Sequence, residues 1–170
     1  MSASVYRLAA ASALAAALLT PAHAELLAHK DLSLDTALTI ASTAAATCKA
    51  QGYRVSVHVV GRTGEVLVAL RGDNASPHTM ENSMRKAYTA RTFRVPSGEI
   101  VKRLKDNPQL AAVHLTNVIA AQGALPIMVG TDVIGAAGVS GAVTTPESPG
   151  GVKDEACVKA GLDKVADQLK

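Results

Sequence analysis

One short segment concentrates groups that could bind a metal ion or an acidic ligand. It runs from Ser76 to Lys86, and its spacing puts His78, Glu81 and Arg85 at positions i, i+3 and i+7 on one face of a helix. An imidazole can ligate iron, and a guanidinium can hold a carboxylate through two parallel hydrogen bonds. The alternative interpretation is a solvated helix face with an intrahelical pair between Glu81 and Arg85.

The remaining histidines and serines give weaker signals. His58 falls in a predicted strand, where a lone histidine is more often buried and hydrogen-bonded than a ligand. His29 and His114 form no HxH or HExxH pair, so a metal site built from protein ligands alone is not indicated. Ser140 lacks the spacing to the following glycine that a nucleophile elbow needs, which argues against a serine hydrolase.

Caps and helix-breaking residues predict four helices that would position these groups. Ser33 and Gly52 are typical of a helix start and end, and Ser76 followed by Pro77 is typical of another start. Pro96 pushes its preceding residue out of the helical region and so ends the second helix. The predicted helices span residues 33–52, 76–94, 97–105 and 150–169.

Alternation of apolar residues and glycine-containing turns predicts about five short strands. Residues 55–60 and 65–70 form a hairpin around residues 61–64, in which two glycines can adopt positive φ without strain. Three further strand candidates follow at 116–121, 126–129 and 133–139. Strands and helices in this order predict a single α+β domain with helices packed on one antiparallel sheet.

The first 24 residues are predicted to be a signal peptide. Arg7 precedes an apolar run of about a dozen residues, and Ala22-His23-Ala24 has the small-x-small pattern before a cleavage site. The run is shorter than the roughly 20 residues that cross a bilayer. The domain is then expected over residues 25–170, in the periplasm or outside the cell, with no membrane span after cleavage.

The composition of that domain argues against nucleic acid as a partner. Removal of Arg7 leaves 16 Lys and Arg against 14 Asp and Glu, a surplus of two positive charges. Only Tyr53, Tyr88 and Phe93 remain as aromatic residues, so base-stacking platforms are not expected.

Four sequence blocks together resemble the GlcG/HbpS-like family of small haem-binding proteins. The family's domain, also called haem-degrading, recurs at the C-terminus of some corrinoid adenosyltransferases. The resemblance implies a profilin-like fold, haem or a related tetrapyrrole as ligand, and a homo-oligomer of even order. The blocks are residues 32–52, 55–73, 75–93 and the stretch 123–143 with its following helix 150–169.

The resemblance also implies a site and a function. His78 is expected as axial ligand to haem iron with Met80 as a weaker one, Arg85 and Lys86 as partners of the propionates, and Glu81 beside them. The expected function is an exported haem-binding protein for haem storage, transfer or sensing. The alternative is an enzyme that degrades haem or acts on a small organic acid linked to glycolate metabolism. The sequence favours it less, because no base, nucleophile and oxyanion donor stand in a recognisable arrangement.

Two positions leave questions for the structure. Gly61 stands where the family is expected to have Asp, so any role of that carboxylate is in doubt in this chain. The family's fold brings the first and last helices together, which would let Cys48 and Cys157 form a disulfide. Two buried thiols are the other interpretation.

Overall fold

The computed structural model describes residues 26–170, so the predicted signal peptide lies outside the described residues. The described chain contains four helices, four strands and two short 3₁₀ turns, at Ala111–His114 and Ala166–Gln168. The helices are α1 (Leu34–Ala50), α2 (His78–Phe93), α3 (Ser97–Asp106) and α4 (Gly150–Lys164). The strands are β1 (Ser56–Val60), β2 (Val66–Arg71), β3 (Ala124–Val129) and β4 (Asp132–Ser140).

The strands form one antiparallel sheet in the order β2-β1-β4-β3. Two hairpins, β1-β2 and β3-β4, meet where β1 pairs with β4. The predicted α+β domain is confirmed, but the prediction of about five strands was wrong, because four are present in residues 26–170. Residues 116–121 are not a strand: Ile119 exchanges backbone hydrogen bonds with the Thr89 hydroxyl of α2 instead of with a neighbouring strand.

The two faces of the sheet carry different helices. Val57 and Val59 of β1 belong to the larger apolar core, which contains the buried faces of α1 and α4. The alternate β1 residues, Ser56, His58 and Val60, face α2 and contact its buried side chains. This alternation follows from the two-residue period of a strand, and it makes the domain a sheet between two helical layers.

Helix α1 begins and ends as its sequence predicts. The Ser33 side chain caps it by accepting a hydrogen bond from the Thr36 amide at 3.2 Å, and Gly52 follows its end with a φ of +81°. Small buried residues on its inner face let it approach α4 closely. A Cβ atom on Gly161 of α4 would lie 2.5 Å from the Ile40 carbonyl oxygen, so this contact requires glycine.

Helices α2 and α3 begin without a side-chain cap, although the sequence predicts that Ser76 starts the first of them. Prolines 77 and 96 occupy the N-cap positions of α2 and α3, and no side chain caps either helix. Ser97 is buried and its hydroxyl accepts a hydrogen bond from the Ala124 amide at 3.1 Å. It therefore ties α3 to the first residue of β3 rather than capping its own helix.

A disulfide joins α1 to α4. Cys48 and Cys157 are fully buried, their Cα atoms are 5.6 Å apart, and 109 positions separate them in sequence. Of the two interpretations that the sequence left open, the structure has the disulfide.

No helix among residues 26–170 combines the length and the apolar character needed to span a lipid bilayer.

We expect reduction of this disulfide to lower the free energy of unfolding by about 4–5 kcal/mol, because a cross-link over so long a loop restricts the unfolded chain. Urea denaturation with and without reductant would measure the change, and the Cys48→Ala/Cys157→Ala variant should not respond to reductant. Two free thiols by mass spectrometry, or equal urea midpoints in both conditions, would contradict the prediction.

Candidate functional site

The outer face of α2 carries three of the predicted site residues. His78 and Glu81 are exposed and Arg85 is half-buried. The Arg85 guanidinium donates from Nη1 to Glu81 Oε1 at 3.2 Å and from Nη2 to the Val118 carbonyl at 2.8 Å. The structure thus brings an imidazole, a carboxylate and a guanidinium onto one face, with the guanidinium held by the loop that packs beside it. We call His78, Glu81 and Arg85 the α2 outer face.

Met80 and Lys86 lie elsewhere on the helix. Successive residues of a helix are about 100° apart around its axis. Met80 is therefore roughly 160° from His78 around the axis of α2, and Lys86 is roughly 80° from His78. Met80 is half-buried. Lys86 is only 5% exposed, so the structure does not place its ammonium where an external propionate could reach it.

The Lys86 ammonium is instead half of a buried ion pair. Its Nζ donates to Asp154 Oδ2 of α4 at 2.8 Å and to the Val139 carbonyl of β4 at 3.0 Å. The other Asp154 oxygen, Oδ1, accepts from the Ala142 amide at 3.0 Å. Burial raises the pKa of Asp154, and the nearby Lys86 charge and backbone amides oppose that shift. Both charges are therefore satisfied within the protein.

Sequence reasoning missed Asp154. An acidic residue on an amphipathic helix normally faces solvent, and nothing local marks this one as buried. A signal does exist in the helical spacing: Asp154, Cys157, Val158 and Gly161 are all buried and follow the i, i+3, i+4, i+7 pattern of one stripe. A carboxylate on such a stripe requires a buried partner of opposite charge.

His58 is buried beneath α2 and is satisfied there. Its Nδ1 lies 2.8 Å from the Ser83 hydroxyl, and that hydroxyl donates to the Met80 carbonyl at 3.1 Å. The His58 Nδ1–H is therefore the donor to Ser83. Burial lowers the pKa of His58. The structure agrees with the interpretation of His58 as a buried, hydrogen-bonded residue.

A carboxylate occupies the first hairpin turn although position 61 is glycine. The Glu65 side chain folds back over Gly61, where an added Cβ atom would lie 2.1 Å from Glu65 Oε1. Glu65 Oε2 accepts hydrogen bonds from the Thr63 amide at 2.9 Å and the Thr63 hydroxyl at 2.5 Å. The turn therefore contains a carboxylate, but it comes from Glu65, four positions after the position at which the family resemblance implies an aspartate.

An open groove of about 390 Å³ lies away from the α2 outer face. It runs between the C-terminal end of α1 and the loop after β2, with Tyr53 and Val55 on its apolar side and Lys49, Arg54 and Asp73 among its polar residues. Its volume is within the range of small-molecule sites. In residues 26–170 there is no group of three or more His, Cys, Asp or Glu side chains that could hold a metal ion. His29 and His114 are both exposed.

The family description "Haem degrading protein HbpS-like" matches residues 32–163 of the chain. The protein belongs to the HbpS-like family. The match covers both helical layers and the whole sheet, as the four sequence blocks predict.

Solved structures show the same fold. Crystal structures of HbpS, one of them a variant of the Streptomyces reticuli protein, have a TM-score of 0.76 at 31% identity and cover 86% of this chain and 95–99% of theirs. Klebsiella pneumoniae protein ORFY has a TM-score of 0.74 at 25% identity, covering 84% of this chain and 95% of its own. The PduOC:haem complex, at 19% identity, shares the fold with a TM-score of 0.67 over 78% of this chain and 93% of PduOC.

A curated relative is similar over part of its length. It is an uncharacterised 15.0 kDa protein from the dhaT-dhaS intergenic region of Citrobacter freundii, 36% identical over 86 residues. These residues are 49% of this chain and 61% of the relative, so the chain spans about three fifths of the relative that it matches.

We expect Lys86→Met to lower the free energy of unfolding by about 3–5 kcal/mol, because it leaves Asp154 buried without its counter-charge. The double variant Lys86→Met/Asp154→Leu should recover most of that loss. Lys159→Met is a matched control, since its partner Asp163 lies at the surface, and it should change little. Chemical denaturation measures all three, and equal losses for Lys86→Met and Lys159→Met would contradict the role of the buried pair.

His58 should make stability depend on pH. Its lowered folded-state pKa means that the unfolded chain, with a pKa near 6.5, binds more protons below that pH. The free energy of unfolding should therefore fall as pH drops through 6.5 toward the folded-state pKa, with a slope of up to about 1.4 kcal/mol per pH unit. Urea titrations from pH 7.5 to 5 should show this slope reduced in His58→Gln. If the free energy of unfolding of the variant depended on pH as steeply as that of the parent protein, His58 would not be the group responsible.

Proposed function

We propose that this protein is an exported haem-binding protein and that the α2 outer face is where haem, or a related tetrapyrrole, binds. The observation that carries the proposal is the match of residues 32–163 to a family described by haem chemistry. A protein of the same fold, PduOC, has been crystallised as a haem complex. Storage, transfer and sensing are the roles that such binding would serve.

The chemistry of the α2 outer face fits this ligand. His78 offers an exposed imidazole of the kind that ligates haem iron. The Arg85 guanidinium is oriented by its bond to the Val118 carbonyl, and its Glu81 contact is on the exposed side, where a propionate could replace it. Leu115, 58% exposed in the loop that leads to Val118, adds apolar surface for a porphyrin edge.

The α2 outer face lies open on a single protomer, which supports assembly as part of the proposal. Haem is a large apolar plane, and pockets that bind such ligands usually bury most of their surface. A second copy of the chain covering this face would supply the missing wall. We therefore propose a homo-oligomer of even order in which the haem lies near a subunit boundary.

Export is supported by two features of the chain. Residues 1–24 have the pattern of a cleaved signal peptide. The buried Cys48–Cys157 disulfide suits an oxidising compartment, because cytosolic thiols are normally kept reduced. Both features favour the periplasm or the medium as the place where the protein works.

The second candidate function is enzymatic. The family description names haem degradation, so an enzyme acting on haem is the leading alternative, ahead of one acting on a small organic acid linked to glycolate metabolism. When bound, haem would supply the redox-active iron, and the protein's part would be to hold and orient it. Incubation of the haem-loaded protein with a reductant in air separates the two functions. Loss of the Soret band with release of iron indicates degradation, and a stable Soret band indicates binding alone.

A haemin titration followed by absorption spectroscopy tests the proposed function. We expect a saturable Soret shift at one haem per protomer or per subunit pair. His78→Ala should alter the spectrum and weaken binding at least about tenfold, since the iron loses its axial ligand. Arg85→Gln should weaken binding with the spectrum largely kept, because it removes only a propionate partner.

His114→Ala is the matched control, because it also removes an exposed histidine of the described chain. It should leave both affinity and spectrum unchanged. Absence of a saturable shift would overturn haem binding. A shift that survives in His78→Ala would keep the function and reject the α2 outer face, and the groove beside Tyr53 would then be the next place to test.

A further inference from the structure

One peptide group of the loop between α3 and β3 lies between two side chains of α2. The Val118 carbonyl accepts from Arg85 Nη2 at 2.8 Å, and the Ile119 amide donates to the Thr89 hydroxyl at 2.9 Å. This carbonyl and this amide belong to the same peptide bond, which is planar and trans, so they point in opposite directions. Arg85 and Thr89 are four positions apart and therefore neighbours along one side of the helix. The peptide thus bridges them, with its carbonyl toward Arg85.

Thr89 is the fixed end of this bridge. Its side chain is fully buried, and its hydroxyl also donates to the Ile119 carbonyl at 3.3 Å. It therefore holds the loop by both hydrogen-bonding groups of Ile119. A buried hydroxyl with a donor and an acceptor engaged keeps one orientation, because breaking either bond leaves a polar group without its partner.

A turn fixes the other side of the same peptide. The Val118 amide donates to the Leu115 carbonyl at 3.1 Å, and Asn117, the third residue of that turn, has a φ of +68°. Asn and Gly accept this left-handed conformation at little cost, whereas most side chains do not. Val118 itself is only 1% exposed. Its carbonyl is therefore held between the turn and the Thr89 contact.

The two partners of the Arg85 guanidinium differ in how firmly they are held. Glu81, which accepts from Nη1, has 69% of its side chain exposed, so its carboxylate can move aside for an incoming acid. The Val118 carbonyl cannot move without breaking the buried Thr89 bonds. An arginine oriented before its ligand arrives loses less conformational entropy on binding. The carbonyl contact is the one that keeps the guanidinium in place during such an exchange.

We propose that Thr89 is a positioning residue, which orders the Arg85 guanidinium through the Val118–Ile119 peptide so that it can receive a haem propionate. The ligand in this inference rests on the proposed function. The order of the Arg85 side chain does not, because it is a property of the protein without haem. Thr89 acts only through the peptide and Arg85.

The first test measures that order by NMR on the haem-free protein labelled with ¹⁵N-arginine. The heteronuclear NOE of each Nε–H reports motion on the picosecond-to-nanosecond timescale, and the Arg85 signal is the one lost in Arg85→Gln. We expect Arg85 to be ordered in the parent protein and in Thr89→Ser, which keeps the hydroxyl. In Thr89→Val its NOE should fall toward that of Arg103, an exposed arginine of α3.

Haemin titrations give the second test. Thr89→Val should weaken binding about two- to tenfold, the scale on which ordering one long side chain lowers affinity. The Soret maximum should stay unchanged, because His78 is untouched, and Thr89→Ser should bind as the parent protein does. In Arg85→Gln, adding Thr89→Val should cause no further loss, since no guanidinium is left to position. A merely structural role of Thr89 would weaken binding in both backgrounds.

Asn117 gives a second route to the same peptide if Thr89→Val does not fold. Asn117→Ala is strained at a φ of +68° and should lower both the Arg85 NOE and the affinity, whereas Asn117→Gly accepts this φ and should retain both.

Two results would overturn the proposal. One is an Arg85 NOE that stays at the parent value in both Thr89→Val and Asn117→Ala. The other is a loss of affinity from Thr89→Val that is equal with and without Arg85. Absence of haemin binding by the parent protein would instead overturn the proposed function and the propionate with it. A fall of the Arg85 NOE in Thr89→Val would in that case still support the positioning role.

Discussion

The buried pair of Lys86 and Asp154 is the constraint on which much of the architecture depends. Lys86 comes from the helix on one face of the sheet and Asp154 from a helix on the other, and they meet at the C-terminal end of β4. Two buried charges are tolerated only when nearly every donor and acceptor is satisfied. The backbone at Val139, Ala142 and Gly123 is fitted closely around them, and Gly123 has no room for a side chain, because a Cβ atom there would lie 2.8 Å from the ammonium.

This constraint also determines which groups face the solvent. The inner face of α2 is anchored to the sheet by polar contacts: Thr79 bonds Ser56 at 2.8 Å, Ser83 bonds His58, and Lys86 bonds across the sheet end. With three polar anchors along the inner face, the helix cannot rotate without breaking several buried contacts at once. The buried contacts of the inner face therefore keep the α2 outer face turned toward the exterior, and the residues of that outer face need not contribute to stability.

The sequence predicted correctly the features that depend on residues close together in the chain, and it failed for features that depend on residues far apart. The start and end of α1 depend on Ser33 and Gly52, and the first hairpin depends on the turn at residues 61–64, so both were predicted correctly from local sequence. The prediction of a fifth strand was wrong because, within residues 116–121, the backbone of Ile119 bonds to the Thr89 side chain, 30 positions away in sequence, and not to a neighbouring strand. Lys86 was expected at a ligand, since neither its helix nor its neighbours reveal the distant carboxylate that holds it. His78, Glu81 and Arg85 do share a face, because that follows from helical periodicity alone.

The disulfide has a topological consequence beyond its effect on the unfolded chain. It closes residues 48–157 into a covalent ring that contains all four strands and the α2 outer face. A single peptide-bond cleavage inside that ring leaves both pieces joined through sulfur, so the protein remains one molecule. The exposed stretch around residues 105–116 lies within the ring. In a compartment that contains proteases, a nick there would open the loop while the sheet and its two helical layers stay tethered.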